Sequence, residues 1–326
     1  VSVLQPPPTG SAQGRPRLGV SSCLLGQRVR YDGGHKRDRF LTDTLGRFVE
    51  WVPVCPEVEC GLPVPREAMR LEGGPEHPRL VAIKTRRDLT QQMVLWARER
   101  VVELEGEDLC GFIFKSRSPS SGMTRVPIHD RNGVPTGSGV GVFAREFMEH
   151  FPLLPVEDEG RLHDPGLREN FVERVFCLRR YRDAVRRDGA GRLVEFHADH
   201  KVQLVAHSPS LAGEMGRLVA RAGVRGAESL LPTYDRLLME ALRRRATVGT
   251  NSNALQHMMG HFKRVLSGDE KQELLETIER YRTGYLPLIV PITLIAHYVR
   301  KYHVQYLERQ SYLNPHPIEI GLRNHA

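Results

Sequence analysis

Three short apolar runs, RLGVSS (17–22), FVEWVPV (48–54) and GFIFK (111–115), each give way at once to a loop rich in glycine, proline and polar residues. No other feature limits the fold as much. Runs of that length bounded by turn formers read as strands, and LVAIK (80–84) has the same character. Helical stretches lie between them: a short one over Arg37 to Leu45, then 90–105, with Met93, Trp96, Val101 and Leu104 broadly on one side, then 139–151. Strands alternating with helices predict an α/β domain with a largely parallel sheet over 17–155.

The second half has a different grammar. Residues 156–192 are charged and predict one linking helix over roughly 166–187, with a domain break at DGAGR (188–192). Residues 193–326 predict an all-helical domain. Its candidate helices are 194–208, 211–223, 233–246, 251–267, 267–284 and 286–302. Asn251 or Asn253 is the expected N-cap of the fourth and Ser267 or Asp269 of the fifth, while Pro291 starts or kinks the last. The expected fold class is therefore an α/β N-terminal domain followed by an all-α C-terminal domain. Residues 1–16 read as a disordered leader with little to bury.

Composition removes several classes. The chain has 326 residues, 40% hydrophobic and 26% charged, as in ordinary globular proteins. Its longest apolar run, Leu286 to Ala296, is broken by proline and falls well short of the ~20 residues of a membrane span. The start lacks the basic and apolar blocks of a signal peptide, so the cytoplasm is expected. Five cysteines make no disulfide framework. The net charge of +8 is spread along the chain without a dense basic tract. It suits a mildly basic surface and is compatible with nucleic acid, although no groove-reading motif is present.

In an open parallel sheet, ligands bind beyond the carboxyl ends of the strands. Three loops occupy that position: 23–37, 55–67 and 116–123. Cys23 and Cys55 begin two of them, and thiols meeting at one edge suit iron–sulfur chemistry or zinc. Glu57, two residues beyond Cys55, is placed for general acid or base work. Arg30, Lys36, Lys115 and Arg66 are candidates to hold an anionic or polar substrate. Ser118, Ser120 and Ser121 flank Pro119 in a turn and either bind substrate or cap the next segment. In the helical half, His257 and His261 share a helix face, and His197, Asp199, His200 and Lys201 form a second polar group. Both read as polar seams. His207 is expected to end a helix, His297 to be a core histidine and Cys177 to pack a helix.

SSCLLGQRVRYDGGHKR, VPVCPEVECGLPVPRE and FKSRSPSSGM resemble the three signature segments of the thiouracil desulfidase family. HADHKVQLVAHSP, NALQHMMGHFKRVLS, the segment 270–302 and YLNPHPIEIGLRN resemble the YbgA-type helical domain. The first resemblance implies a 4Fe-4S cluster on three cysteines, with an open iron for the sulfur of a thiolated base or nucleotide. It implies non-redox, hydrolytic desulfuration that releases sulfide. Carried over by motif, Cys23 and Cys55 would be ligands, Glu57 the acid/base residue and Ser120 the substrate-facing serine. Arg30, Lys36, Lys115 and Ser118 would bind substrate. Where the family motif has a third cysteine, this chain has Ser121. The third ligand is then Cys60 or Ser121, or the cluster is held by two thiolates, or it is absent. Cys110, at the start of a strand, lies too far from the loop beyond it. The alternative reading is a cluster-free binding or regulatory module for nucleotides or nucleic acid, with the helical half as its interaction surface.

Overall fold

A computed structural model describes residues 14–222 and 227–324. The leader expected over 1–16 lies outside the described residues apart from its last three, as does the final residue of the 211–223 segment. Four strands form a parallel sheet in the order β2–β1–β5–β8: β1 is Arg17–Ser21, β2 Glu50–Val54, β5 Leu109–Phe114 and β8 Val156–Asp158. All six residues of β5 are buried, as a central strand covered on both faces requires.

Each face has its own partners. Leu18, Val20 and Ile113 pack against Phe171, Val172 and Val175 of helix α4, Pro165–Asp188. On the other face, Phe112 and Phe114 meet α2, Thr90–Glu105, and α3, Val142–His150. The rings of Phe112 and Phe147 lie 4.7 Å apart and those of Phe112 and Phe143 5.8 Å apart. Such packing holds only because position 19 has no side chain, since a Cβ there would stand 2.1 Å from the Phe112 ring.

LVAIK was expected beside the other strands but belongs elsewhere. Its strand β4, Arg79–Ala82, pairs antiparallel with β3, Met69–Glu72. With β6, Val126–His129, and β7, Pro135–Gly139, they make a second sheet in the order β4–β3–β6–β7. Helix α2 begins at Thr90, as its periodicity indicates, and buries Met93, Ala97, Val101 and Leu104. The short helix expected over Arg37 to Leu45 is present as a single π-helical turn, Phe40–Thr44, followed by a 3-10 turn at Leu45–Arg47.

The rest of the chain is helical. Helices cover Leu193–His207, Pro209–Val219, Leu231–Arg243, Val248–Met259, Gly268–Arg282 and Ile289–Tyr302. Ser267 caps the fifth of these with Glu270 in a capping box. The fourth starts earlier than expected, because Thr247 and Thr250 form its capping box. Asn251 therefore sits inside the helix, where its side-chain oxygen accepts from the buried Tyr312 hydroxyl. Pro291 falls in the first turn of the last helix, where proline is tolerated. His297 is exposed rather than core, because the apolar side of that helix is carried by Ile292, Ile295, Tyr298 and Val299. His207 does end its helix, and Cys177 is fully buried. The rings of His257 and His261 lie 5.5 Å apart. His197 and His200 are buried and bonded to the Tyr234 hydroxyl and the Phe196 carbonyl. Among the described residues no helix is long and apolar enough to cross a membrane.

Candidate active site at the carboxyl edge of the parallel sheet

All four parallel strands end on one side. β1 runs into a tight turn at Ser22–Leu25, closed by Gly26 in the left-handed region at φ 92°. The Cys23 carbonyl accepts from the amides of Gly26 and Lys36, so the loop folds back over this residue. β2 runs into Cys55, which precedes a single helical turn, α1, Pro56–Glu59. Proline opens that turn at no hydrogen-bond cost, and the Glu59 carboxylate accepts from the Cys55 amide at 2.7 Å. β5 runs into the turn 118–122, which rests on the start of α3. There the amides of Val142 and Ala144 donate to the carbonyls of Pro119 and Ser120.

Gly141 makes this seat possible. A Cβ at Gly141 would lie 2.6 Å from the Ser120 carbonyl and 2.8 Å from the Gly122 amide nitrogen. Both are backbone atoms that cannot rotate away. We expect Gly141→Ala to lower stability by about 1–3 kcal/mol, the range for overpacking, with the melting temperature as the measurement. An unchanged melting temperature would show that the seat is looser than described.

The three loops enclose a cavity of about 430 Å³. Cys23, Cys55, Glu57, Ser118 and Ser121 are on its wall, as are Arg30 and the exposed Lys36. Glu57 is the hub. Its Oε1 accepts from Ser120 Oγ at 2.6 Å and its Oε2 accepts from Cys55 Sγ at 3.5 Å. Arg66 Nη2 stands 3.8 Å from the same Oε2. Arg66 was named from the sequence as a substrate-binding cation. Here it also ties loops together, donating to the Val29 and Pro63 carbonyls. The four serine and glutamate positions divide the work unequally. Ser120 is fully buried behind the wall, holding Glu57. Ser118 Oγ bonds Ser120 Oγ at 2.9 Å and accepts from the Ser121 amide.

The cations also differ. Lys115 is bound by Glu159, which follows β8 and accepts from Ser116 as well. Arg30 lies 3.4 Å from Asp32 and leans on the Tyr31 ring. Lys36 is exposed and has no ion pair among the described residues. Sequence reasoning missed Glu159 because VED is a three-residue strand with two charged side chains, the opposite of an apolar signal.

Cys60 and Cys110 stand apart from the cavity. Cys60 Sγ donates to the Glu57 carbonyl at 3.3 Å and packs against the core of Leu71, Leu80 and Met93. Cys110 is buried near the start of β5, on the α4 side. The described residues contain no group of three His, Cys, Asp or Glu side chains placed for a single metal ion.

The thiols of Cys23 and Cys55 are pushed up to about 11 and about 12, first by burial and then by the Glu57 carboxylate. Both are protonated at neutral pH in the metal-free protein, and the thiolate is the reactive form. Iodoacetamide should therefore modify them slowly at pH 7, with rates climbing toward pH 11. Glu57→Gln should speed the reaction, by about tenfold for each pKa unit regained. Peptide mass spectrometry gives both rates, and equal rates in the two proteins would remove Glu57 as a cause.

The fold and this edge define a class: an α/β domain with a thiol- and carboxylate-lined cavity, joined to an all-helical domain. Residues 18–159 match the model of the 2-thiouracil desulfurase family, and residues 201–317 match a family of unknown function, DUF1722. The two family matches thus lie in tandem, the first on the α/β half and the second on the helical half. The uncharacterized protein YbgA of Escherichia coli (strain K12) is 29% identical over 135 residues, covering 41% of this chain and 80% of that protein. A solved structure described as the 4Fe-4S-dependent thiouracil desulfidase TudS is 29% identical, with 48% of this chain and all of that chain covered and a TM-score of 0.38.

Proposed function

We propose that the α/β half is a cytoplasmic enzyme that removes sulfur from a small thionated base of the thiouracil type by hydrolysis. The observation that supports this most is the meeting of Cys23, Cys55 and Glu57 on one cavity at the carboxyl edge. The donors suit a 4Fe-4S cluster. Two thiols from the ends of neighbouring strands line the same hollow, and the Ser121 hydroxyl on the same wall has no hydrogen bond among the described residues. Cys23 and Cys55 would hold the cluster. When bound, it supplies a Lewis-acidic iron that polarises a thiocarbonyl and accepts its sulfur.

The chain's own residues account for the remaining chemistry. Ser120 and Arg66 hold the Glu57 carboxylate, whose residue lines the cavity. Glu57 takes a proton from water as the oxygen adds to the carbon that bears sulfur. That carbon loses sulfide as a C=O bond forms, and no electrons change hands. Lys36 and Arg30 on the wall attract a polar or anionic ring.

Anaerobic reconstitution with iron and sulfide, followed by incubation with 2-thiouracil, tests the reading. Wild type should form uracil and sulfide, while Cys23→Ala and Cys55→Ala should lose bound iron and turnover together. Intact thiouracil with the iron-loaded wild type would refute it.

A further inference from the structure

We infer that Ser121 is the third protein ligand of the cluster, through its side-chain oxygen, so that the donor set is two thiolates and one alkoxide. This rests on the reading of the cavity as a cluster site. The three positions are topologically equivalent. Cys23 follows β1, Cys55 follows β2 and Ser121 follows β5, and these are adjacent strands in the sheet. All three residues line the same cavity, and each is nearly buried, with Ser121 at 3% exposure.

The hydroxyls of the turn separate the candidates. Ser120 Oγ donates to Glu57, and Ser118 Oγ is engaged by Ser120 and by the Ser121 amide. The Ser121 Oγ makes no hydrogen bond among the described residues. The oxygen is not among the buried orphaned polar atoms, so it is open to the cavity its residue lines, and of the turn's three hydroxyls it is the one free to take a ligand. Cys60, the thiol alternative, is already turned to the Glu57 carbonyl and packed against the core of Leu71, Leu80 and Met93, and it does not line the cavity. Reaching the cavity would require unpacking that contact and unwinding α1, on whose C-terminal side Cys60 sits.

Ligation forms one Fe–O and two Fe–S bonds and releases three protons, one from the hydroxyl and two from the thiols, to solvent through the cavity mouth. No oxidant or reductant is needed. Oxygen is a harder donor than sulfur and suits iron–sulfur centres less well. The oxygen-ligated cluster is therefore more easily stripped than an all-thiolate one.

The test reconstitutes wild type, Ser121→Ala, Ser121→Cys and Cys60→Ser anaerobically. It reads iron and sulfide per chain, iron loss to a chelator, the EPR spectrum of the reduced cluster and the cysteines shielded from iodoacetamide. Loaded wild type should shield Cys23 and Cys55 while Cys60 keeps the rate it has in the metal-free protein, and Cys60→Ser should match wild type in iron content and spectrum. Ser121→Ala should lose iron at least about tenfold faster, the lower end of what even outer-shell changes cause. Ser121→Cys should hold iron longer, shift the spectrum and shield a third cysteine. Shielding of Cys60, or the same spectrum and retention in Ser121→Ala as in wild type, overturns the assignment while the desulfidase reading stands. Iron uptake by Ser121→Cys but not by wild type also overturns it. Failure of all four proteins to take up iron overturns both.

Discussion

Replacing Glu57 by glutamine is expected to cut kcat for desulfuration by about 10²–10⁴-fold, the usual contribution of a positioned acid or base. The substitution keeps size and shape. It keeps an acceptor oxygen for Ser120, which now stands at 2.6 Å, but removes the proton-accepting charge. Stability and iron content should change little, which separates this variant from those of Cys23 and Cys55. Ser120→Ala acts on the same group at one remove, by freeing the carboxylate to rotate. It should therefore lower kcat less than Glu57→Gln and alter its pH profile. Single-turnover rates at saturating thiouracil across pH 6 to 9 read both effects. Equal and full activity in Glu57→Gln would mean that water is activated elsewhere.

The second large effect lies far from the cavity. Arg323 is 4% exposed and donates to Glu173 at 2.5 Å, to the Tyr312 carbonyl at 2.7 Å and to Glu169 at 3.3 Å. It thereby pins the chain's last described segment to α4, the helix that also covers the parallel sheet. His207 holds the other oxygen of Glu173 at 3.0 Å. Removing the guanidinium leaves buried carboxylates uncompensated, a change that typically costs about 3–5 kcal/mol. Arg323→Met should lower the denaturation midpoint accordingly. An effect below about 1 kcal/mol would show that the segment is not held by this pair.

This cluster has a pH dependence whose sign can be worked out. Burial and the neighbouring Glu173 raise Glu169, whereas Arg323 and His207 hold Glu173 well below the usual carboxylate range despite its burial. Stability from Glu169 is present below its unfolded pKa and is lost as pH rises through its raised value near neutrality. Stability from Glu173 is present above its unfolded pKa and is lost as pH falls into strong acid. Their opposed signs place the best stability of this junction on the mildly acidic side of neutral.

The legible parts of the sequence share a physical cause. β1, β2 and β5 are apolar runs cut off by Gly and Pro, and their loops hold Cys23, Cys55 and the 118–122 turn. The carboxyl-edge rule then gives the convergence of these loops. The second sheet left no such trace. MRLE, VPIH and PTGSG are four or five residues long, with polar, proline or glycine positions throughout, and β-propensity read over so few residues is weak. LVAIK had the right look but no neighbour in sequence to show which sheet it joins. Long-range pairings escaped for a different reason. Glu57 and Ser120 are 63 positions apart, and Lys115 and Glu159 are 44 apart. Only the folded chain shows that the serine positions the glutamate, or that the lysine is neutralised by its own acid.

Oxygen-18 water tests the central claim most directly. The reconstituted protein, given thiouracil in labelled water without a reductant, should yield uracil carrying one atom of the label at the carbon that lost sulfur, with one sulfide per uracil. Unlabelled product, or a requirement for stoichiometric reductant, would contradict hydrolytic desulfuration at this cavity.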